Sequence, residues 1–154
     1  MTIRNICYFI AILMVYSCSS STQENSSASR ELTAEQQEVS DLEDQVIAVH
    51  DEVMPLMDKL ISLQEELKTK NADLESSSDA DAKDQVIVNS LIIDNLAQAH
   101  EGMMDWMRKY EPVDLEADNV ANMNYLQEEL EKITAVQEFT DNAITAAEET
   151  LGNN

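Results

Sequence analysis

The chain has 154 residues, enough for one domain once an N-terminal targeting segment is set aside. Its two glycines, two prolines and few aromatic residues, with abundant Ala, Leu, Glu and Gln, favour helix almost throughout. The formal net charge is -22 and no cluster of Lys or Arg is present, which argues against nucleic acid as a partner and against electrostatic docking on anionic lipid.

The N-terminus has the pattern of a secretory signal. Arg4 supplies the positive charge, and residues 6–16 form an apolar run that is too short to span a bilayer. The run ends in Val15-Tyr16-Ser17-Cys18, which resembles a bacterial lipobox, although Tyr16 is bulkier than the usual residue there. Ordinary signal cleavage nearby is the alternative.

The lipobox divides the chain into three parts. We expect residues 1–17 to be a lipoprotein signal peptide, and residues 18–30 to be the lipidated Cys18 followed by a flexible Ser-rich tether. Acyl chains on Cys18 would hold the protein at a membrane. Residues 31–152 would form the folded domain, without a disulfide because Cys7 leaves with the signal.

The first predicted helix begins at Thr33, since Thr33 and Gln36 have the spacing of a capping box. Apolar residues then recur three and four apart: Val39, Leu42, Val46, Val49, Val53, Leu56, Leu60, Leu63 and Leu67. A second stripe lies one residue further on: Ile47, His50, Met54, Met57 and Ile61. Two adjoining stripes predict a helix that contacts two neighbours.

Two more helices follow. The apolar pattern is lost across residues 71–83, and a second helix is predicted from about Asp84 to Tyr110, ended by Pro112. A third is predicted from about Asp118 to Leu151. The second helix has a seam of Val86, Ile93, Leu96, His100, Met103, Met107 and Tyr110, which is flanked by Leu91, Ile92, Met104 and Trp106. The seam of the third helix comprises Val120, Met123, Leu126, Leu130, Ile133, Val136, Thr140 and Ile144. We therefore expect an all-α fold, an antiparallel up-down three-helix bundle with long helices.

In such a bundle the histidines and methionines come together. Around a turn near residue 77, positions whose numbers sum to roughly 154 lie side by side, so His50 faces Met104 and Met54 faces His100. The next turn, near residue 114, brings Met123 to the level of residue 105. The predicted site is a slab roughly 15 Å tall that holds His50, Met54, Met57, His100, Met103, Met104, Met107 and Met123.

Thioether and imidazole donors suit Cu(I), and Ag(I) would compete for them. Pro55 and Gly102 lie at the same level, where a kink and a close approach of helices would open a pocket. The alternative is that the methionines only fill gaps in a core, a task for which Met is well suited.

Other chemistry fits less well. A di-iron site needs Glu-x-x-His on paired helices, but Ile47 and Ala97 stand where the glutamates would be. Haem held by His and Met stays open, without a C-x-x-C-H attachment motif. No nucleophile with a neighbouring base and no phosphate-binding glycine loop is present, so we expect no enzyme.

A resemblance rests on the lipobox, on HDEVMP at His50–Pro55 and on MMDWM at Met103–Met107. The chain resembles a group of small predicted lipoproteins of Bacteroidetes and flavobacteria, some automatically named "viral A-type inclusion protein", a label that reflects helical composition. The resemblance covers roughly residues 45–150. It implies a cell-envelope lipoprotein and no particular activity.

Two hypotheses follow. In the first, a lipid-anchored envelope protein binds Cu(I) at the His/Met cluster in the periplasm or at the cell surface. In the second, a lipid-tethered bundle binds no metal and its acidic surface meets a protein partner. The membrane face, the partner and homo-oligomer formation stay open.

Overall fold

The computed structural model describes residues 31–152. These residues form helices and connections, without a strand among them, which confirms the all-α prediction for this part of the chain. The elements are α1 (Ala34–Val53), a 3₁₀ segment at Met54–Leu56, α2 (Met57–Glu75), α3 (Ala82–Lys109) and α4 (Asn119–Gly152). The predicted signal peptide, Cys18 and the tether lie outside the described residues.

The predicted capping box is present at the start of α1. The Thr33 hydroxyl accepts a hydrogen bond from the Gln36 amide at 3.2 Å, and the Thr33 amide donates to the Gln36 side chain at 3.0 Å. The Gln36 side chain also donates to the Leu115 carbonyl at 2.8 Å, so this end of α1 lies against the connection between α3 and α4.

The predicted first helix is interrupted at Pro55. Proline has no amide to donate to the preceding turn, and Met54–Leu56 adopt the tighter 3₁₀ form there. The two halves have different neighbours, because α1 packs mainly against α4 and α2 packs mainly against α3. α3 and α4 also pack against each other, and the buried residues of all four helices form one core.

The buried face of α3 is turned by one residue from the predicted seam. Predicted seam residues Ile93, His100 and Met107 are only half-buried. The predicted seam residues Leu96 and Met103 are buried, and so are Ile92 and Trp106 of the predicted flank. Asn89 and Ala99 complete the buried row. Asn89 can be buried because its amide donates to the Asn71 side chain at 2.7 Å.

The chain does not reverse its direction directly after α3. Tyr110 leaves α3 in an extended conformation, with φ -67° and ψ 130°, and the chain turns only around residues 115–117. Asp118 then starts α4, where its carboxylate accepts from the amides of Val120 and Ala121 at 2.9 and 3.2 Å. None of the helices within residues 31–152 combines the length and apolar character that a membrane crossing requires.

Candidate metal site

The six methionines of the predicted site all belong to one core, but they differ in burial. Met57 and Met103 are almost fully buried, with 5% and 0% of their surface exposed. The others are partly buried and pack against the same core: Met54, Met104, Met107 and Met123. Both histidines, His50 and His100, are also half-buried. The boundary of the core therefore carries accessible donors, whereas Met57 and Met103 are shielded from solvent.

His50 is held in a defined orientation. Its Nδ1 lies 2.8 Å from a carboxylate oxygen of Asp51, and its ring centroid is 5.7 Å from that of Trp106 on α3. Because a carboxylate only accepts hydrogen bonds, this contact fits the tautomer whose ring proton is on Nδ1. The lone pair of Nε2 then stays available for a metal ion or another electrophile.

One edge of α1 and α2 faces α3. Glu43, His50 and Asn71 lie on this edge and contact Tyr110, Trp106 and Asn89 respectively. Glu43 and His50 lie seven residues apart, so they share one face of α1, whereas Asn71 lies on α2 beyond the 3₁₀ segment. Met57 belongs to the same row, and Met54 lies one turn beyond His50.

The contacts of α1 with α3 are made by long side chains, since close backbone approaches between these two helices are scarce. Trp106 and Tyr110 supply two of these side chains, with their ring centroids 4.8 Å apart. Met103, Met104 and Met107 lie within one turn of Trp106 on α3. A flexible thioether suits a space that must be bridged by side chains.

Met123 does not lie where the sequence placed it. Tyr125 stacks on Tyr110, with ring centroids 6.3 Å apart, and its hydroxyl accepts from the Glu111 amide at 2.9 Å. Met123 therefore lies beside the connection between α3 and α4, about two turns from the level of residue 105. The reason is the extended stretch after Tyr110, which shifts the register of α4 along α3.

Gly102 also has a different role from the one predicted. A Cβ atom built on it would meet the Val136 side chain at 4.0 Å, an ordinary contact, so no close approach of helices requires glycine there. A cavity of about 310 Å³ does lie beside Gly102, and Trp106, Val136 and Glu129 contribute to its lining. It lies between α3 and α4, whereas His50 contacts α3 from α1.

Glu43 was not among the predicted site residues, yet it holds Tyr110, the aromatic residue that stacks on Trp106 beside His50. One Glu43 carboxylate oxygen accepts from the Tyr110 hydroxyl at 3.0 Å and from the Val113 amide at 3.1 Å. Burial raises the pKa of Tyr110, and the hydrogen bond to the Glu43 carboxylate raises this pKa further. The spacing of seven residues between Glu43 and His50 is the sequence signal that could have identified it.

The nearby charges on α3 are paired with one another. Arg108 bonds Glu101 at 2.5 Å and Asp105 at 2.9 Å, while Lys109 bonds Asp105 at 2.5 Å. The hydrogen bonds from Lys109 and Arg108 hold the pKa of Asp105 below its ordinary value. Residues 31–152 contain no cluster of three or more His, Cys, Asp or Glu side chains that could hold a metal ion.

Comparisons with known proteins return no match: no family model, no curated protein and no solved structure is similar to this chain.

Proposed function

We propose that this protein is a lipid-anchored bacterial envelope protein that binds Cu(I), with Ag(I) as a competitor, through His50, Met54, His100 and Met104. The anchor is an acylated Cys18, as the lipobox pattern indicates. Thioethers and neutral imidazoles are donors that suit Cu(I), and thioethers need no deprotonation. The protein would sequester or hand on the metal rather than act as an enzyme.

The proposal includes an up-down order of three rods, formed by α1 with α2, by α3 and by α4. Two contact pairs support opposite directions for the first two rods: Glu43 meets Tyr110, whereas Asn71 meets Asn89. In this order Met54 reaches α3 near Met103 and His100. The four donors then lie along the boundary between α1 and α3.

The observation that carries the proposal is the orientation of half-buried His50. Asp51 holds Nδ1, Trp106 covers one side of the ring, and Met54 follows one turn later on the same edge. A ligating histidine usually has its other ring nitrogen bonded in this way, which fixes the tautomer. A pair of half-buried donors on α3, His100 and Met104, completes a low-coordinate set.

The experiment is an anaerobic titration with Cu(I) against a chelating competitor, followed through the fluorescence of Trp106, the only tryptophan. Met104→Leu keeps side-chain volume and should cost under about 1.5 kcal/mol of stability, yet it should weaken Cu(I) binding at least tenfold. His100→Ala should weaken binding further. Met103→Leu is the matched control, since Met103 is fully buried and the same exchange there should leave affinity unchanged.

A second control separates folding from binding. Leu63 is buried in the core, so Leu63→Ala should cost about 2–5 kcal/mol of stability while the folded fraction keeps its affinity. Equal Cu(I) affinity in the parent, in Met104→Leu and in His100→Ala would refute the proposal. So would a parent that binds Cu(I) no more tightly than an unfolded peptide with the same donors.

A further inference from the structure

Three large aliphatic side chains lie exposed together on α3, near its start. Ile87, Val88 and Leu91 are 68%, 54% and 62% exposed. Single exposed aliphatic residues are common on protein surfaces, but here the three lie within about one turn on one helix face. We call this set the α3 strip. The proposed copper site does not use it.

A cavity adjoins the α3 strip at Ile87. It measures about 390 Å³ and lies beside the turn between α2 and α3, with Leu74, Ala82, Val86 and Ile87 as its apolar lining. Glu75, Asp79 and Lys83 contribute charged groups. Grooves that bind a helix combine an apolar surface with a cavity, and one side chain of the bound helix inserts deeply into that cavity.

The surroundings of the α3 strip are acidic. Asp84 precedes Ile87 by three residues and Asp94 follows Leu91 by three, and both are exposed. Neither makes an ion pair with any residue of the described part of the chain. The full chain carries a formal charge of -22. These charges favour a basic occupant and repel both a second copy of this chain and an anionic lipid surface.

We propose that the α3 strip and its cavity bind a basic amphipathic helix of a partner protein. The apolar face of that helix contacts Ile87, Val88 and Leu91 and inserts one side chain beside Leu74. Its Lys or Arg residues pair with Asp84 and Asp94. This surface is independent of metal binding.

The position of the strip fits an encounter with another protein. The chain enters the folded domain at Thr33, close to Leu115 in the connection after α3. The α3 strip lies near the opposite end of α3, which is about 42 Å long at 28 residues. The α3 strip and Thr33 therefore lie toward opposite ends of the described domain.

The test is site-specific photocrosslinking with the full-length protein in its native bacterium. Leu91→p-benzoylphenylalanine should give an adduct with another protein, mapped to a helix with apolar residues on one face and Lys or Arg beside them. Val120 is 71% exposed on α4, so Val120→p-benzoylphenylalanine is the matched control and should not give this adduct. The absence of an adduct at Leu91, a self-dimer, a lipid adduct or the same adduct at Val120 would each overturn the proposal.

Two further measurements test the chemistry of the contact. In isolated membranes the yield at Leu91 should fall several-fold between about 50 and 500 mM NaCl, because salt screens exposed charges. Ile87→Ser and Asp84→Asn should each lower the yield severalfold, while Glu38→Gln, at an exposed position on α1, should leave it unchanged. A yield that is insensitive to salt and to both variants refutes a basic amphipathic partner, whatever the outcome of the copper titration.

Discussion

Removing the Glu43 side chain should loosen the connection between α3 and α4. Glu43→Ala deletes the oxygen that accepts from the Tyr110 hydroxyl at 3.0 Å and from the Val113 amide at 3.1 Å. Glutamate and alanine both favour helix, so the change acts mainly through these hydrogen bonds. Each bond to a charged acceptor contributes about 1.5–3 kcal/mol when both partners stay dry.

The expected loss is smaller than the sum of two such bonds. Glu43 and Val113 are half-buried, so water can replace part of what is removed. We expect Glu43→Ala to lower the free energy of unfolding by about 2 kcal/mol, and Tyr110→Phe, which removes one donor, by about 1 kcal/mol. For a urea slope near 2 kcal/mol per molar, the midpoint for Glu43→Ala should move down by about 1 M.

The assay is urea unfolding followed by circular dichroism and by the fluorescence of Trp106, which stacks on Tyr110. Glu38→Ala is the control, because Glu38 is exposed on α1, and it should change stability by less than about 0.5 kcal/mol. An effect of Glu43→Ala as small as that of the control would refute the role given to this carboxylate.

Three more predictions concern pH, the site and the anchor. The folded chain holds the pKa of Tyr110 above its ordinary value of 10.0, so above this pH the folded state keeps a proton that the unfolded state loses. The free energy of unfolding should therefore fall as the pH rises beyond about 10, and it should fall less steeply in Tyr110→Phe. Urea titrations at a series of pH values measure both. Asp51→Ala should free the tautomer of His50, visible in ¹⁵N chemical shifts, and weaken Cu(I) binding about tenfold or more; unchanged shifts would contradict the assigned proton. Cys18→Ala should release the protein from membranes in fractionation, and full retention would mean that another feature holds it.

Local sequence rules predicted much of the helical structure. The capping box at Thr33 and the end of α3 before Pro112 depend on residues within a few positions of each other, and both are present. The apolar spacing of three and four identified most of the buried residues of α1 and α2, including Val39, Val46 and Leu60. Such features need no knowledge of the partner helix.

The predictions that differ from the structure concern packing between segments that are distant in sequence. The buried face of α3 includes Asn89, which a hydrophobic pattern rejects and which its bond to Asn71 makes possible. Val120 was assigned to the core but is 71% exposed. The predicted position of Met123 along the bundle assumed a turn centred near residue 114. In the structure Tyr110, the residue after α3, is extended.

The sequence predicted which residue types gather at the candidate site, but not which of them are accessible. The spacing gathered six methionines and two histidines, but it could not distinguish fully buried Met103 from half-buried Met104 one residue later. That difference depends on which side of α3 faces the core. It decides which thioethers are accessible to a metal ion.

The change of neighbour at the 3₁₀ segment also predicts an order of folding. α2 and α3 are joined by a short turn, so their pairing closes a small loop and can form early. α1 packs mainly against α4, which follows it at a separation of more than about sixty residues and is synthesised last. While the chain is being made, Val39, Leu42 and Val46 therefore lack the helix that covers them. A chain that ends before α4 should therefore form the paired α2–α3 hairpin but leave the apolar face of α1 exposed and prone to aggregation.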